Sequence, residues 1–209
     1  MMRTDSPAPF LGVGITGGVG AGKSRVLSLL KEHTSCRVIL ADTLAKELEQ
    51  PGERCYEPIV SLLGKEILHP DQTIDPRAMA SLIYGDERLR QKINAIIHPA
   101  VKEEICAILR MERERGQIRF LFVEAALLIE NGFDKILDEI WYIYAREEIR
   151  RERLRLSLGY SEEKISAIMA AQLSDEEFRR ACPVVIDNSG SVEDTEKQIV
   201  EILKKRGGE

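Results

Sequence analysis

An apolar run, Phe10-Leu11-Gly12-Val13-Gly14-Ile15, leads through Thr16 into Gly17-Gly18-Val19-Gly20-Ala21-Gly22-Lys23-Ser24. No other feature of the chain restricts its fold as strongly. Gly17-x-x-x-x-Gly22-Lys23-Ser24 is the spacing at which a buried strand passes into a helix through a loop whose backbone N–H groups converge on phosphate. The glycines let the backbone approach an anion closely, and a helix opening at Gly22 points its positive end at the same place. Lys23 is then placed to reach the β- and γ-phosphates of a nucleotide, and the Ser24 hydroxyl to coordinate Mg²⁺. Gly18, Val19, Gly20, Ala21, Gly22, Lys23, Ser24 and Arg25 form the candidate phosphate-binding set.

A loop of this kind requires an α/β fold, and the rest of the chain keeps the rhythm. Short apolar runs at 10–16, 37–41, 119–125, 139–145 and 183–187 read as strands, with helices at 22–33 and 42–50 between the first of them. Continuously apolar strands alternating with helices predict a parallel sheet covered on both faces. The interval between the second and third strands breaks the alternation. Residues 53–116 show only helical patterns, at 55–63, 77–84, 87–97 and 99–115, and are read as a helical insertion into a core of 1–52 and 117–209. The arginine-rich stretch 146–171 is also helical.

Composition narrows the partners. The formal charge of −5 argues against general binding to nucleic acid or to an anionic membrane, because both demand a basic surface. No apolar run approaches the roughly 20 residues of a membrane helix. Residues 1–7 lack a hydrophobic signal region, so a cytoplasmic protein is expected. Cys36, Cys55, Cys106 and Cys182 stand singly and read as buried thiols rather than zinc ligands or disulfides. The guanine-reading N-K-x-D and the transporter signature L-S-G-G-Q are both absent, which turns the reading from a switch or transporter towards phosphate transfer onto a small molecule.

Three further features fit such a transfer. Asp42, in V-I-L-A-D-T-L-A, follows the second strand, and ligands bind at the carboxyl ends of strands in open parallel sheets. It can act as base on an acceptor hydroxyl or hold a water on Mg²⁺; aspartate is also a favoured helix N-cap, and the roles are compatible. Glu124, ending F-L-F-V-E, has the pattern of a carboxylate acting near Mg²⁺, or is a strand-end charge facing solvent. Arg146, Arg150 and Arg153 recur at helical spacing on one face, as a lid that neutralises phosphoryl oxygens requires, although Glu147, Glu148 and Glu152 can pair with them. His98, before Pro99, reads as a capping or core group.

Taken in order, I-T-G-G-V-G-A-G-K-S, A-D-T-L-A-K-E-L-E-Q-P-G, I-I-H-P-A-V, A-L-L-I-E, the A-A-Q ending at Gln172 and V-I-D-N-S-G resemble the dephospho-CoA kinase family along nearly the whole chain. The resemblance implies a P-loop kinase fold with a five-stranded parallel sheet, a helical domain on the CoA side and an arginine-bearing lid at about 146–171. It implies ATP and dephospho-CoA as substrates, Mg²⁺ as cofactor, and a monomer or small homo-oligomer. It places Thr16, Asp42 and Arg153 near the reaction centre and Arg77 and His98 towards the acceptor. It sets Asn188 and Gly190 in a loop beside adenine. Departures from the family pattern are Leu40 for the first Asp of D-A-D, Arg25 for Thr, Ala126 for Pro and Ser157 for a second lid arginine. The alternatives are another small-molecule P-loop kinase of nucleoside or nucleotide type, or a diverged nucleotide-binding protein without transfer.

Overall fold

Each of the five apolar runs forms a strand. In a computed structural model, which describes residues 10–125 and 128–207, these are β1 (Leu11–Thr16), β2 (Cys36–Leu40), β3 (Phe120–Glu124), β4 (Glu139–Tyr144) and β5 (Val184–Asp187). Residues 1–7 and the departure at Ala126 lie outside the described residues. The sheet order is β2-β3-β1-β4-β5. β1 pairs in parallel with β3 on one side, Ile15 opposite Glu124, and with β4 on the other, Thr16 opposite Tyr142. Strand order reverses at β1, so the loop after it opens into the crevice where parallel sheets bind ligands.

The core explains why these strands are apolar throughout. On one face, Val26, Leu27 and Leu30 of α1 (Lys23–His33) and Ile199 and Leu203 of α9 (Val192–Lys205) close over Val13, Ile15, Phe120, Phe122, Trp141 and Ile143. Trp141 is fully buried, with Phe122 set edge-on at 5.5 Å between ring centroids. On the other face, Phe178 of α8 (Asp175–Ala181) stacks on Tyr142 of β4 at 4.6 Å. Burial pushes the Cys182 thiol beside them up to about 11. All four cysteines are free thiols; Cys55 and Cys182 are buried, while Cys36 and Cys106 are half-buried.

The chain divides into two compact units, the residues up to Ile39 together with those from Met111 onward, and Leu40–Arg110. The second unit begins earlier than the sequence pattern suggests. α2 (Ala41–Leu48) is tied to the next segment of the unit, the Cys55 N–H donating to the Leu48 carbonyl at 3.0 Å just before α3 (Tyr56–Leu63). The Tyr56 hydroxyl donates to the Gln72 carbonyl at 2.6 Å. Asp75 caps α4 (Pro76–Ile83) by accepting from the N–H groups of Arg77 and Ala78.

The helices expected at 87–97 and 99–115 are one helix, α5 (Glu87–Arg115), with Pro99 inside it. An interior proline costs about 3 kcal/mol through a lost hydrogen bond and a steric clash. Burial of Ile93 before it and of Ala100, Val101, Ile105, Ile108 and Leu109 after it keeps a single axis. The arginine-rich stretch becomes α6 (Glu147–Leu158) and α7 (Glu162–Ala170).

Candidate active site

The loop after β1 has the backbone that its glycines predict. At Gly17, φ is 151° and an added Cβ would stand 2.4 Å from the Ile143 carbonyl oxygen of β4. At Gly22, which opens α1, φ is 87° and the same atom would meet the Asn188 side-chain nitrogen at 2.3 Å. A side chain at Gly17 would push the loop off β4, and one at Gly22 would displace the Asn188 side chain. Lys23 folds back over the loop, its Nζ donating to the Gly17 carbonyl at 3.0 Å and standing 3.6 Å from Glu124 Oε1. The Glu124 side chain is 21% exposed and lies beside the lysine. Ser24 lies exposed in the first turn of α1.

Thr16 sits at the end of β1, fully buried, and its hydroxyl has no hydrogen-bond partner among the described residues. A buried hydroxyl left unpaired costs about 1–3 kcal/mol.

The arginines of α6 do not form a uniform row. Arg146 is the N-cap residue of α6 and gives its backbone N–H to the Ser189 hydroxyl at 2.9 Å. Arg150 and Arg153 turn to the loop. Arg150 Nε donates to the Val19 carbonyl at 2.9 Å, and Arg150 Nη2 to Gln172 Oε1 at 2.9 Å. Burial draws the Arg150 guanidinium pKa below its ordinary value, and the neighbouring Tyr142 and Glu147 partly offset this. Arg153 Nη2 donates to the Asn188 carbonyl at 2.8 Å, and its Nη1 lies 3.3 Å from the Ala21 carbonyl and 3.4 Å from that of Gly20. Arg151, between them, faces outward to Glu147, Glu162 and Ser166.

Two side chains brace the loop from behind. Asn188 is buried; its Nδ2 donates to the Ala21 carbonyl at 2.8 Å and its Oδ1 accepts from Thr195 at 3.0 Å. It therefore pins the loop, whereas Gly190 is exposed two residues on. Gln172 Oε1 also accepts from the Val19 N–H at 3.1 Å. In the sequence, Gln172 is only the end of the A-A-Q stretch and has no assigned role, and Arg150 is not singled out within its series. The Val19 N–H is thus bonded inside the protein, as is that of Arg25, which donates to the Gly22 carbonyl at 3.0 Å. Both belong to the loop's frame.

Asp42, Arg77 and His98 belong to the second unit. Asp42 is exposed in the first turn of α2, but the N-cap is Leu40, with no side-chain cap bond, so the capping alternative does not apply. Arg77 is exposed in the first turn of α4. His98 is exposed on α5, neither cap nor core, because the helix runs on through Pro99.

A phosphate loop joined to an arginine-bearing helix is common to many kinases, and relatives narrow the choice. The family description "dephospho-CoA kinase" (CoaE) matches residues 11–194. A dephospho-CoA kinase of Geobacter sulfurreducens is 39% identical over 195 residues, covering 93% of this chain and 98% of that protein. The chain belongs to the dephospho-CoA kinase family. Among solved structures, TT1252 from Thermus thermophilus aligns with a TM-score of 0.75 at 30% identity, covering 94% of this chain and 98% of that one. Dephospho-CoA kinase from Campylobacter jejuni aligns with a TM-score of 0.65 at 19% identity over 93% and 96%, a likeness of fold.

Two of the family departures can be placed. Leu40 is 42% exposed at the entrance to α2. Ser157 sits one turn after Arg153, and its hydroxyl donates to the Arg153 carbonyl at 2.6 Å, a local bond that adds no charge to α6. Among the described residues, no helix is long and apolar enough to cross a membrane.

Proposed function

We propose that the protein transfers the γ-phosphoryl group of ATP to the 3′-hydroxyl of dephospho-CoA, giving coenzyme A in the final step of its synthesis. The observation that carries this reading is the loop bearing Lys23 beside Glu124, in a chain of this family. Lys23 stabilises charge as the β–γ bridge breaks. Arg153 and Arg150, already aimed at the loop, stabilise the phosphoryl oxygens in flight. Asp42 takes the proton of the attacking hydroxyl. Thr16, Arg77 and His98 contact the acceptor; Asn188 and Gly190 shape the adenine end.

The residues at hand fit Mg²⁺. The Ser24 hydroxyl and the Glu124 carboxylate are hard oxygen donors, and this ion is commonly held by one or two such groups together with phosphates and water. When bound, it neutralises charge on the transferring group. A cytoplasmic protein, as monomer or small homo-oligomer, completes the reading.

The test is ADP formation measured side by side with dephospho-CoA, adenosine, AMP, CMP and uridine as acceptors. Use of dephospho-CoA far above the others is expected. Preference for a nucleoside would promote the nucleoside-kinase class, and no acceptor-dependent ADP at all would point to a non-catalytic nucleotide binder.

A further inference from the structure

Val19 is held by both of its backbone polar groups, one on each of the two peptide units that flank its Cα. Its N–H donates to Gln172 Oε1 at 3.1 Å, and its carbonyl accepts from Arg150 Nε at 2.9 Å. Arg150 Nη2 closes the ring by donating to the same Gln172 oxygen at 2.9 Å. The partners of the first bond lie 153 residues apart in the chain, so it joins the segment after α7 to the phosphate loop. Only an acceptor can satisfy both donors, which makes the amide oxygen, rather than its nitrogen, the atom in use. The guanidinium also fills the space in front of Gly18, where an added Cβ would lie 2.3 Å from Arg150 Nη2.

We infer that Gln172 is a positioning residue: through one carbonyl oxygen it sets the orientation of the Val19 peptide and the place of the Arg150 guanidinium, coupling the lid to the phosphate loop. Arg150 has lost part of its water shell, as the direction of its pKa shift indicates, so it depends on the few acceptors around it. The groups facing it are Gln172 and the Val19 carbonyl, with Tyr142 and Tyr144 of β4 and the charged Glu147 and Arg151 of α6 nearby. Gln172 is the side chain among these that also holds the loop. Without it, the guanidinium keeps the Val19 carbonyl but loses its second direction, and the peptide group between Gly18 and Val19 is free to turn. A displacement of about 1 Å in such a group is enough to cost of order 10²-fold in rate.

The inference rests on the loop being the ATP site, and its test separates the two. In nucleotide-free protein, ¹⁵N NMR of the Val19 amide and the Arg150 Nη2–H, the two donors to Gln172 Oε1, reads the clamp directly and needs no activity. Both protons should be protected from exchange in the natural protein. Both should lose protection in Gln172→Met, which keeps size and removes the acceptor, and regain it in Gln172→Glu, which restores the acceptor. With dephospho-CoA and ATP, Gln172→Met should lower kcat by about 10- to 100-fold with little change in Tm. The double variant with Arg150→Ala should lose less than the product of the two single losses, since part of the effect of Gln172 passes through that arginine. Unchanged Val19 and Arg150 exchange in a folded Gln172→Met protein, or losses that multiply in the double variant, would overturn the assignment. If the natural protein shows no transfer, the proposed activity fails, while the exchange result still decides the role of Gln172.

Discussion

The phosphate loop and the Leu40–Arg110 unit are built on different principles. Around the loop, position is set by backbone: a strand flanked by two parallel neighbours, glycines at which a Cβ would strike β4 or Asn188, and carbonyls held by Arg150, Arg153 and Asn188. In the second unit the residues assigned to the acceptor, Asp42, Arg77 and His98, are exposed side chains on three different helices, and α4 buries none of its residues. A phosphate can be recognised by N–H groups that nearly every residue carries, so recognition is written in glycine spacing. An acceptor is recognised by particular side chains, whose meaning depends on what else they meet.

This contrast predicts unequal effects. The largest belongs to Lys23. Lys23→Ala should cost at least about 10²–10³-fold in kcat, as loss of a preorganised charge at the transferring group typically does, with the fold intact by circular dichroism. Normal turnover in that variant would remove the loop from the chemistry.

Next stands Asp42, the one acid of the second unit given a chemical role. Asp42→Asn should lower kcat by about 10²–10⁴-fold, the range for a lost general base. Because Leu40 and not Asp42 occupies the cap position, Tm should hold. A fall in Tm with kcat kept would return Asp42 to a structural role and erase the contrast.

The arginines sharpen the account within a single helix. Arg153→Ala should lose several-fold more kcat than Arg146→Ala, since Arg153 bonds to the loop and Arg146 gives only a backbone N–H to Ser189. Equal losses in steady-state kinetics would mean diffuse electrostatics in place of two aimed guanidiniums.

Smallest is a pH effect confined to the second unit. The Arg77 and Ala78 N–H groups hold the Asp75 carboxyl below its ordinary value of 3.8. A depressed folded value adds stability that is present above the ordinary value and lost as pH falls through the lower one. Asp75→Asn still caps the helix but does not titrate there. Acid unfolding followed at 222 nm should therefore be slightly less steep in the variant than in the natural protein.

Legibility in the sequence divides along the same line. β1 to β5 are legible because continuous apolar runs have one outlet, a sheet buried on both faces. α8 and α9 are missing from the sequence-based expectations although each carries its own signal: Ser174 and Glu177 form a capping box, and Ser191 caps the second by accepting from the Asp194 N–H. Pro99 reads as a break because an X-Pro step usually ends a helix; packing along α5 prevails. Lys23 stands out by its place in the glycine-rich motif, and register sets Glu124 beside β1. Gln172 does not stand out, because its meaning comes from Val19, far away in the chain, and from an arginine whose neighbour Arg151 faces solvent partners instead.

The most direct test of the whole account follows the phosphoryl group itself. ATP labelled in its γ-phosphate is incubated with the protein, Mg²⁺ and dephospho-CoA, and the products are separated and examined by ³¹P NMR. The account predicts label on the ribose 3′-oxygen, in coenzyme A, with one ADP formed for each. Label released only as inorganic phosphate, or dephospho-CoA recovered unlabelled while a nucleoside is phosphorylated, would contradict it.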